Sequence, residues 1–233
     1  RGFDPQDTGL LVEEIKLDYK TEDMEFYVGK FDPTFGTAYN KKKRIGVFTS
    51  EFAEDYNLRE KIGGGMNANL ENSKISFNTF FNDTTGLSQS ALDHRGRAPR
   101  NKGISGDTGT LSSYSLAIEG DTFLGIEDLF YNAGYRSLGV DNLPDKKRET
   151  AYVAGAEYLY RIGYKTSIIP YFEAVKINNF EGFANRNAVY TTAAVIGKYS
   201  SWSGSIASLS RNIKNNPAGT ANQRQLQFSV GYK

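Results

Sequence analysis

The chain has 233 residues, with 28 Lys or Arg against 27 Asp or Glu, one His and no Cys, for a formal net charge of +1. That balance gives no global attraction for nucleic acid, and the lack of thiols excludes both a disulfide framework and a thiolate metal centre. Mean hydropathy is -0.52. The best apolar run, residues 123–130, is broken by Glu127 and Asp128 and falls short of the roughly 18 consecutive apolar residues of a spanning helix, so a helical membrane protein is excluded.

Arg1, Gly2, Phe3, Asp4 and Pro5 lack signal-peptide character; either a signal has been removed or the chain begins inside its gene product. From residue 14 onward, period-two alternation predicts about eleven strands. In residues 14–19, Ile15, Leu17 and Tyr19 share one face, while Glu14, Lys16 and Asp18 share the other. Residues 23–31 set Met24, Phe26 and Val28 together, on the face opposite Glu25. Residues 58–69, which include Lys61, form a weaker strand because Gly63, Gly64 and Gly65 interrupt it, and strand curvature or a bulge is their expected use. Residues 74–81 place Ile75, Phe77 and Phe81 opposite Lys74, Ser76 and Asn78. Residues 113–119 place Tyr114, Leu116 and Ile118 opposite Glu119.

Residues 122–136 read as one strand in which Leu129, Tyr131, Ala133 and Tyr135 oppose Asp128, Asn132 and Arg136. Residues 152–161 turn Tyr152, Ala154, Ala156, Tyr158 and Tyr160 away from Glu157 and Arg161. Strands at 167–177 (with Glu173), 188–199 (with Lys198), 202–211 and 223–232 complete the series.

The links carry as much information as the strands. Those at 20–22, 70–73, 120–121, 162–166 and 200–201 are tight, and the intervening ones at 32–57, 82–111, 137–150, 178–187 and 212–222 are long. Strict alternation of tight and long links has no basis in a Greek-key sandwich but is the rule for an up-and-down transmembrane barrel with periplasmic turns and extracellular loops. The fold class expected is therefore all-β, a single transmembrane antiparallel barrel domain. Because bacterial single-chain barrels have an even number of strands, about twelve are expected, with the first ascending strand missing and residues 1–10 belonging to the first extracellular loop.

Two segments resemble Gram-negative outer-membrane porins. Phe26-Tyr27-Val28-Gly29-Lys30-Phe31-Asp32-Pro33-Thr34-Phe35-Gly36 is similar to the passage of a porin strand into its loop. Gln225-Leu226-Gln227-Phe228-Ser229-Val230-Gly231-Tyr232, followed here by Lys233, resembles the C-terminal strand recognised by the barrel assembly machinery. The resemblance implies a bacterial outer-membrane location, contact with lipid and lipopolysaccharide, that machinery as a partner in biogenesis, and a homotrimer as one arrangement.

Inward-facing charges expected to line a lumen are Glu14, Lys16, Asp18, Glu25, Lys61, Lys74, Glu119, Asp128, Glu157, Glu173 and Lys198, whose mixed signs suit a water-filled pore with a transverse field. A lumen closed by salt bridges is the alternative. The 32–57 link is rich in aromatics and is expected to fold inward as a constriction, with Phe48, Glu51, Phe52, Glu54 and Asp55 as its candidate residues; packing over the rim is the competing reading. Basic clusters at Lys41, Lys42, Lys43 and Arg44, at Arg95, Arg97, Arg100 and Lys102, and at Lys146, Lys147 and Arg148 fall in long links. Binding of lipopolysaccharide phosphates or steering of anions is their functional reading, and solvated loops the bland one.

The single histidine, His94, lies in a polar loop with no nucleophile held near it, so no catalysis, cofactor or metal is expected. Three functions follow as expectations: a porin-like channel for small hydrophilic solutes or ions, a non-conducting barrel serving as an anchor or interaction subunit of the envelope, or a soluble barrel carrier. The carrier requires an apolar interior and a polar exterior, the reverse of the membrane case.

Overall fold

The computed structural model describes residues 11–39, 50–90, 104–141, 145–216, 219 and 221–232. Its strands are β1 (Ile15–Lys20), β2 (Met24–Phe31), β3 (Lys61–Leu70), β4 (Ser73–Asn82), β5 (Ser113–Gly120), β6 (Leu129–Leu138), β7 (Glu149–Tyr158), β8 (Tyr160–Ile162), β9 (Thr166–Asn178), β10 (Asn187–Tyr199), β11 (Trp202–Lys214) and β12 (Ala221–Tyr232). They form one 12-stranded sheet in sequence order, antiparallel throughout, with short β8 beside β9. Because β7 and β8 both pair with β9, they are one strand interrupted at Leu159, whose N–H is donated to the Asp128 carbonyl at 3.0 Å. No helix of the described residues is long and apolar enough to cross a membrane.

Alternation places the two kinds of side chain on opposite faces. One face carries Leu17, Val28, Phe77, Leu116, Tyr152, Phe172, Val195, Ile206, Phe228 and Val230, all exposed although apolar, with Leu17 at 74% and Val230 at 80%. The opposite face carries Ser76, Asn78, Ser113, Ser115 and Glu173, all buried. The same concave face also buries apolar Phe80, Val153, Tyr171, Val175, Tyr190 and Leu209. A soluble carrier requires a polar exterior, and the exposed apolar convex face is the opposite of that, so that expectation is set aside.

The core explains which face is concave. Phe35, Ala38, Phe52, Ala53, Tyr56 and Leu58, all from the link between β2 and β3, pack against Val153, Tyr171, Val175, Tyr190, Ala194 and Leu209 of β7, β9, β10 and β11. One short segment touches this many strands only if the sheet curls around it.

Three expectations about boundaries are corrected. Residues 122–136 are not one strand: β6 begins at Leu129, and residues 121–128 form an eight-residue link in which Phe123 and Ile126 close a tight turn. The tight link expected at 120–121 is thus longer, because Gly125 at φ +79° reverses the chain before the alternation starts. β11 extends to Lys214, which shortens the link before β12. The triple glycine also proves compatible with a regular ten-residue strand. A Cβ at Gly63 would lie 2.1 Å from the Thr79 carbonyl oxygen, and one at Gly65 would lie 2.4 Å from Asn78 Oδ1 and 2.7 Å from the Tyr27 ring. The glycines make room for inward side chains of β2 and β4 to cross over β3.

Among the described residues, β1 is hydrogen-bonded only to β2, and β12 only to β11. Both strands run from the long-link end to the short-link end, so the two edges are parallel in direction.

Candidate functional site

The concave face at the long-link end is organised around Glu173 on β9, which is 1% exposed. Its carboxylate accepts the backbone N–H of Thr37 at 2.6 Å and of Ala38 at 3.3 Å, the Thr37 hydroxyl at 3.0 Å, the Tyr56 hydroxyl at 2.9 Å and the Asn132 amide at 2.9 Å. A buried charge is tolerated when its lone pairs are fully occupied, and here the donors come from both ends of the inward segment and from Asn132 on β6. Gly36 makes this approach possible: its φ is +73°, and a Cβ there would lie 3.1 Å from the Glu173 carboxylate. Burial, and next the negative charge of Glu173, push the Tyr56 phenol well above its ordinary value, so it stays a hydroxyl donor.

Two further contacts fasten the segment. Arg136 on β6, 3% exposed, donates to the Tyr56 carbonyl at 2.5 Å and to Glu149 at 2.6 Å, and stacks its guanidinium 4.9 Å from the Phe35 ring centroid. Arg211 on β11 donates to Asp55 at 2.6 Å and lies 5.0 Å from the Phe52 ring centroid, and Tyr190 donates to the same carboxylate at 2.9 Å. The short helix α1 (Ser50–Glu54) therefore sits against β11.

The segment occupies only part of the concave face. Beside it, toward β4 and β5, lies a cavity of ≈ 450 Å³ whose wall includes Glu13, Asp32, Tyr39, Arg59, Lys74 and Glu119. Lys74 and Glu119 pair at 2.5 Å across neighbouring strands, and Arg59 donates to the Tyr39 hydroxyl at 2.9 Å. Burial holds the Asp32 carboxyl above the usual carboxylate range, although it accepts the Glu60 N–H at 2.7 Å. Below, Lys16 lies between Glu14 at 2.6 Å and Asp18 at 3.8 Å, and Lys20 pairs with Glu25 at 2.9 Å. Exposed pairs of this kind contribute little stability.

The sequence-derived candidates sort as follows. Glu14, Lys16, Asp18, Glu25, Lys61, Lys74, Glu119, Glu157 and Lys198 have the inward parity, and Glu173 is inward but covered by Thr37, Ala38 and Tyr56. Asp128 lies outside the strand expected for it: it precedes β6 at φ +60° and pairs at the short-link end with Arg161, which shares the inward face of Lys198. Of the constriction candidates, Phe52 is buried in the core, whereas Glu54 and Asp55 are both exposed, Asp55 bonded to Arg211 and Tyr190 and Glu54 paired with Arg59 at 3.6 Å. Phe48 and the side chain of Glu51 lie outside the described residues, as do Lys41, Lys42, Lys43, Arg44, Arg95, Arg97, Arg100, Lys102 and His94.

In the third basic cluster, Lys146 donates to the Glu181 carbonyl at 3.1 Å and sits 3.6 Å from the Phe183 ring centroid. Arg148 donates to the Ser112 carbonyl at 2.9 Å, and Lys147 is exposed. Alternation alone also missed Lys30. Its parity is outward, yet its ammonium is buried between Asp83 at 2.9 Å and Glu60 at 3.0 Å, because the chain after β4 folds over the rim and adds the Leu87 carbonyl.

No protein-family profile and no curated protein matches the chain. Among solved structures it is similar to in-vitro folded OmpT, an outer membrane protein of Vibrio cholerae, at 12% sequence identity and a TM-score of 0.43. The match covers 93% of this chain and 62% of that one. The chain thus spans under two thirds of the length of that structure.

Proposed function

We propose that this chain forms the wall of a porin-like channel in a bacterial outer membrane, passing small hydrophilic solutes or ions without chemistry. The observation that supports this reading is the outer face of the sheet: large apolar side chains are exposed all along the convex side, while buried polar and charged groups such as Asn78, Ser115 and Glu173 share the concave side with the apolar core. Lipid is the environment in which such a convex face costs nothing. Backbone groups cannot remain unpaired in hydrocarbon, and β1 and β12 run in the same direction. An antiparallel closure accordingly takes a strand of the opposite direction between them. The cavity walled by Asp32, Arg59, Lys74 and Glu119 is the passage that the inward segment leaves open, and the segment itself is the constriction.

A second reading, a non-conducting barrel that anchors or joins an envelope assembly, draws on the same segment. Its apolar side chains fill the concave face of β7 and β9 to β11 as a core would. Either reading puts lipid over the convex face and takes lipopolysaccharide phosphates as partners of the rim basic residues Lys146, Lys147 and Arg148, which the exposure of Lys147 and Arg148 supports. Planar-bilayer recording of the refolded chain separates the two: ohmic steps support the channel, and a silent membrane containing folded protein refutes it.

A further inference from the structure

The link 121–128 is the longest at its end of the sheet, and its tip is built from apolar residues left exposed among the described residues. Phe123, Leu124 and Ile126 are 43%, 86% and 48% exposed. The Phe123 N–H is donated to the Ile126 carbonyl at 3.3 Å, and the reverse bond is 3.0 Å. Leu124 at φ +52° and Gly125 at φ +79° occupy the two central positions. A two-residue turn with both φ values positive ordinarily takes Asn or Asp followed by Gly. A leucine there is conformationally unfavourable and presents its side chain to the surroundings without packing on the protein.

The direction of the turn is fixed by its neighbour. The Phe123 ring lies 5.0 Å from that of Tyr131, whose hydroxyl is hydrogen-bonded to Ser73 at 2.7 Å. Tyr131 is on the convex face of β6, so the turn bends outward, not beneath the lumen. There it continues a row of exposed aromatics at the same end of the sheet: Tyr19 on β1, Tyr158 and Tyr160 beside β9, Tyr164 in the next link, Tyr199, Trp202 and Tyr232. The flanking acid Asp128 turns the other way and pairs with Arg161.

We propose that residues 123–126 insert into the lipid monolayer at the short-link end, as an apolar wedge seated between headgroups and acyl chains. The proposal rests on the membrane reading above. Aromatic side chains favour that interfacial level, and the wedge extends the aromatic row by one apolar finger.

The full chain has a single tryptophan, Trp202, which serves as the internal reference. The refolded wild type and a Trp202→Phe, Leu124→Trp double variant are reconstituted in phosphatidylcholine vesicles. The lipids are brominated either near the headgroup or deep in the chain, and acrylamide probes access from water. Trp202→Phe, Ile126→Trp supplies a second reporter should the first fold poorly. The expected result is blue-shifted emission from the reporter, greater loss of emission with shallow than with deep bromine, and weak quenching by acrylamide. If Trp202 is quenched by lipid while the reporter is quenched only by acrylamide, the wedge is refuted and the tip faces water or a protein partner. If Trp202 is itself untouched by brominated lipid, it is the membrane reading that fails.

Discussion

Replacing Glu173 by alanine should release the inward segment. The substitution removes the acceptor shared by five donor groups: the Thr37 and Ala38 N–H groups, the Thr37 and Tyr56 hydroxyls and the Asn132 amide. The Thr37 hydroxyl keeps Tyr171 at 3.1 Å and the Asn132 amide keeps Thr37 Oγ1 at 2.9 Å. A buried donor left unmade costs about 1–3 kcal/mol. The segment avoids paying that in full by swinging out to water, so the loss is capped by its docking free energy. A net loss of about 3 kcal/mol shifts the docked-to-free ratio by roughly 100-fold.

Two assays read this. Lys41, Lys42, Lys43 and Arg44 lie within the same link, so trypsin cleavage of the reconstituted protein there should accelerate, since proteolysis tracks the population of the open form. Single-channel conductance should rise and become noisier as the constriction leaves the lumen. Glu173→Gln retains one oxygen acceptor and should fall between wild type and alanine. Cleavage within about twofold of wild type, together with unchanged conductance in the alanine variant, would refute the assignment of Glu173 as the latch.

Gly63→Val should prevent assembly of the heat-modifiable folded form, because its Cβ would meet the Thr79 carbonyl and the Phe80 backbone, whereas Gly197→Ala, with open space around it, should be tolerated. Phe228→Arg on the convex face of β12 should destabilise the membrane-inserted protein by about 2–4 kcal/mol, read as a lower denaturant midpoint in vesicles; an unshifted midpoint would argue against lipid on that face. Burial holds the Asp107 carboxyl above its usual range. The folded chain therefore binds that proton more tightly than the unfolded chain, and the resulting stabilisation is present in acid and fades as pH rises through the raised value. Asp107→Asn, which keeps an acceptor for Asn82 (2.6 Å from Asp107), should gain stability relative to wild type between about pH 4 and pH 7.

Strand positions and their facing were legible because period-two alternation survives wherever the two faces meet different surroundings, as on β1, β9 and β12. The turn at 121–128 was misread for the complementary reason: Phe123 and Ile126 are apolar on account of their own surroundings, so alternation projected backward from β6 ran through them. Aromatic enrichment between β2 and β3 signalled that Phe52 turns inward. It could not show which wall the segment meets, since the contacts of Asp55 with Arg211 and of Thr37 with Glu173 join residues 156 and 136 positions apart. The same holds for Lys30, whose burial depends on how the chain after β4 folds over the rim. A break such as Leu159, which leaves both the sequence pattern and the register with β9 unchanged across β7 and β8, has no local signature.

The most direct test of a lipid-facing convex face around a water-facing concave one is a single-cysteine scan of β12, from position 221 to 232, in the reconstituted protein. The sequence contains no cysteine of its own, so each introduced thiol reports alone when spin-labelled. The account predicts period-two behaviour, with positions 226, 228 and 230 relaxed by oxygen from the lipid phase and positions 223, 225 and 229 relaxed by a water-soluble nickel chelate. Uniform accessibility to the aqueous reagent on both faces, or the inverse periodicity, would contradict it.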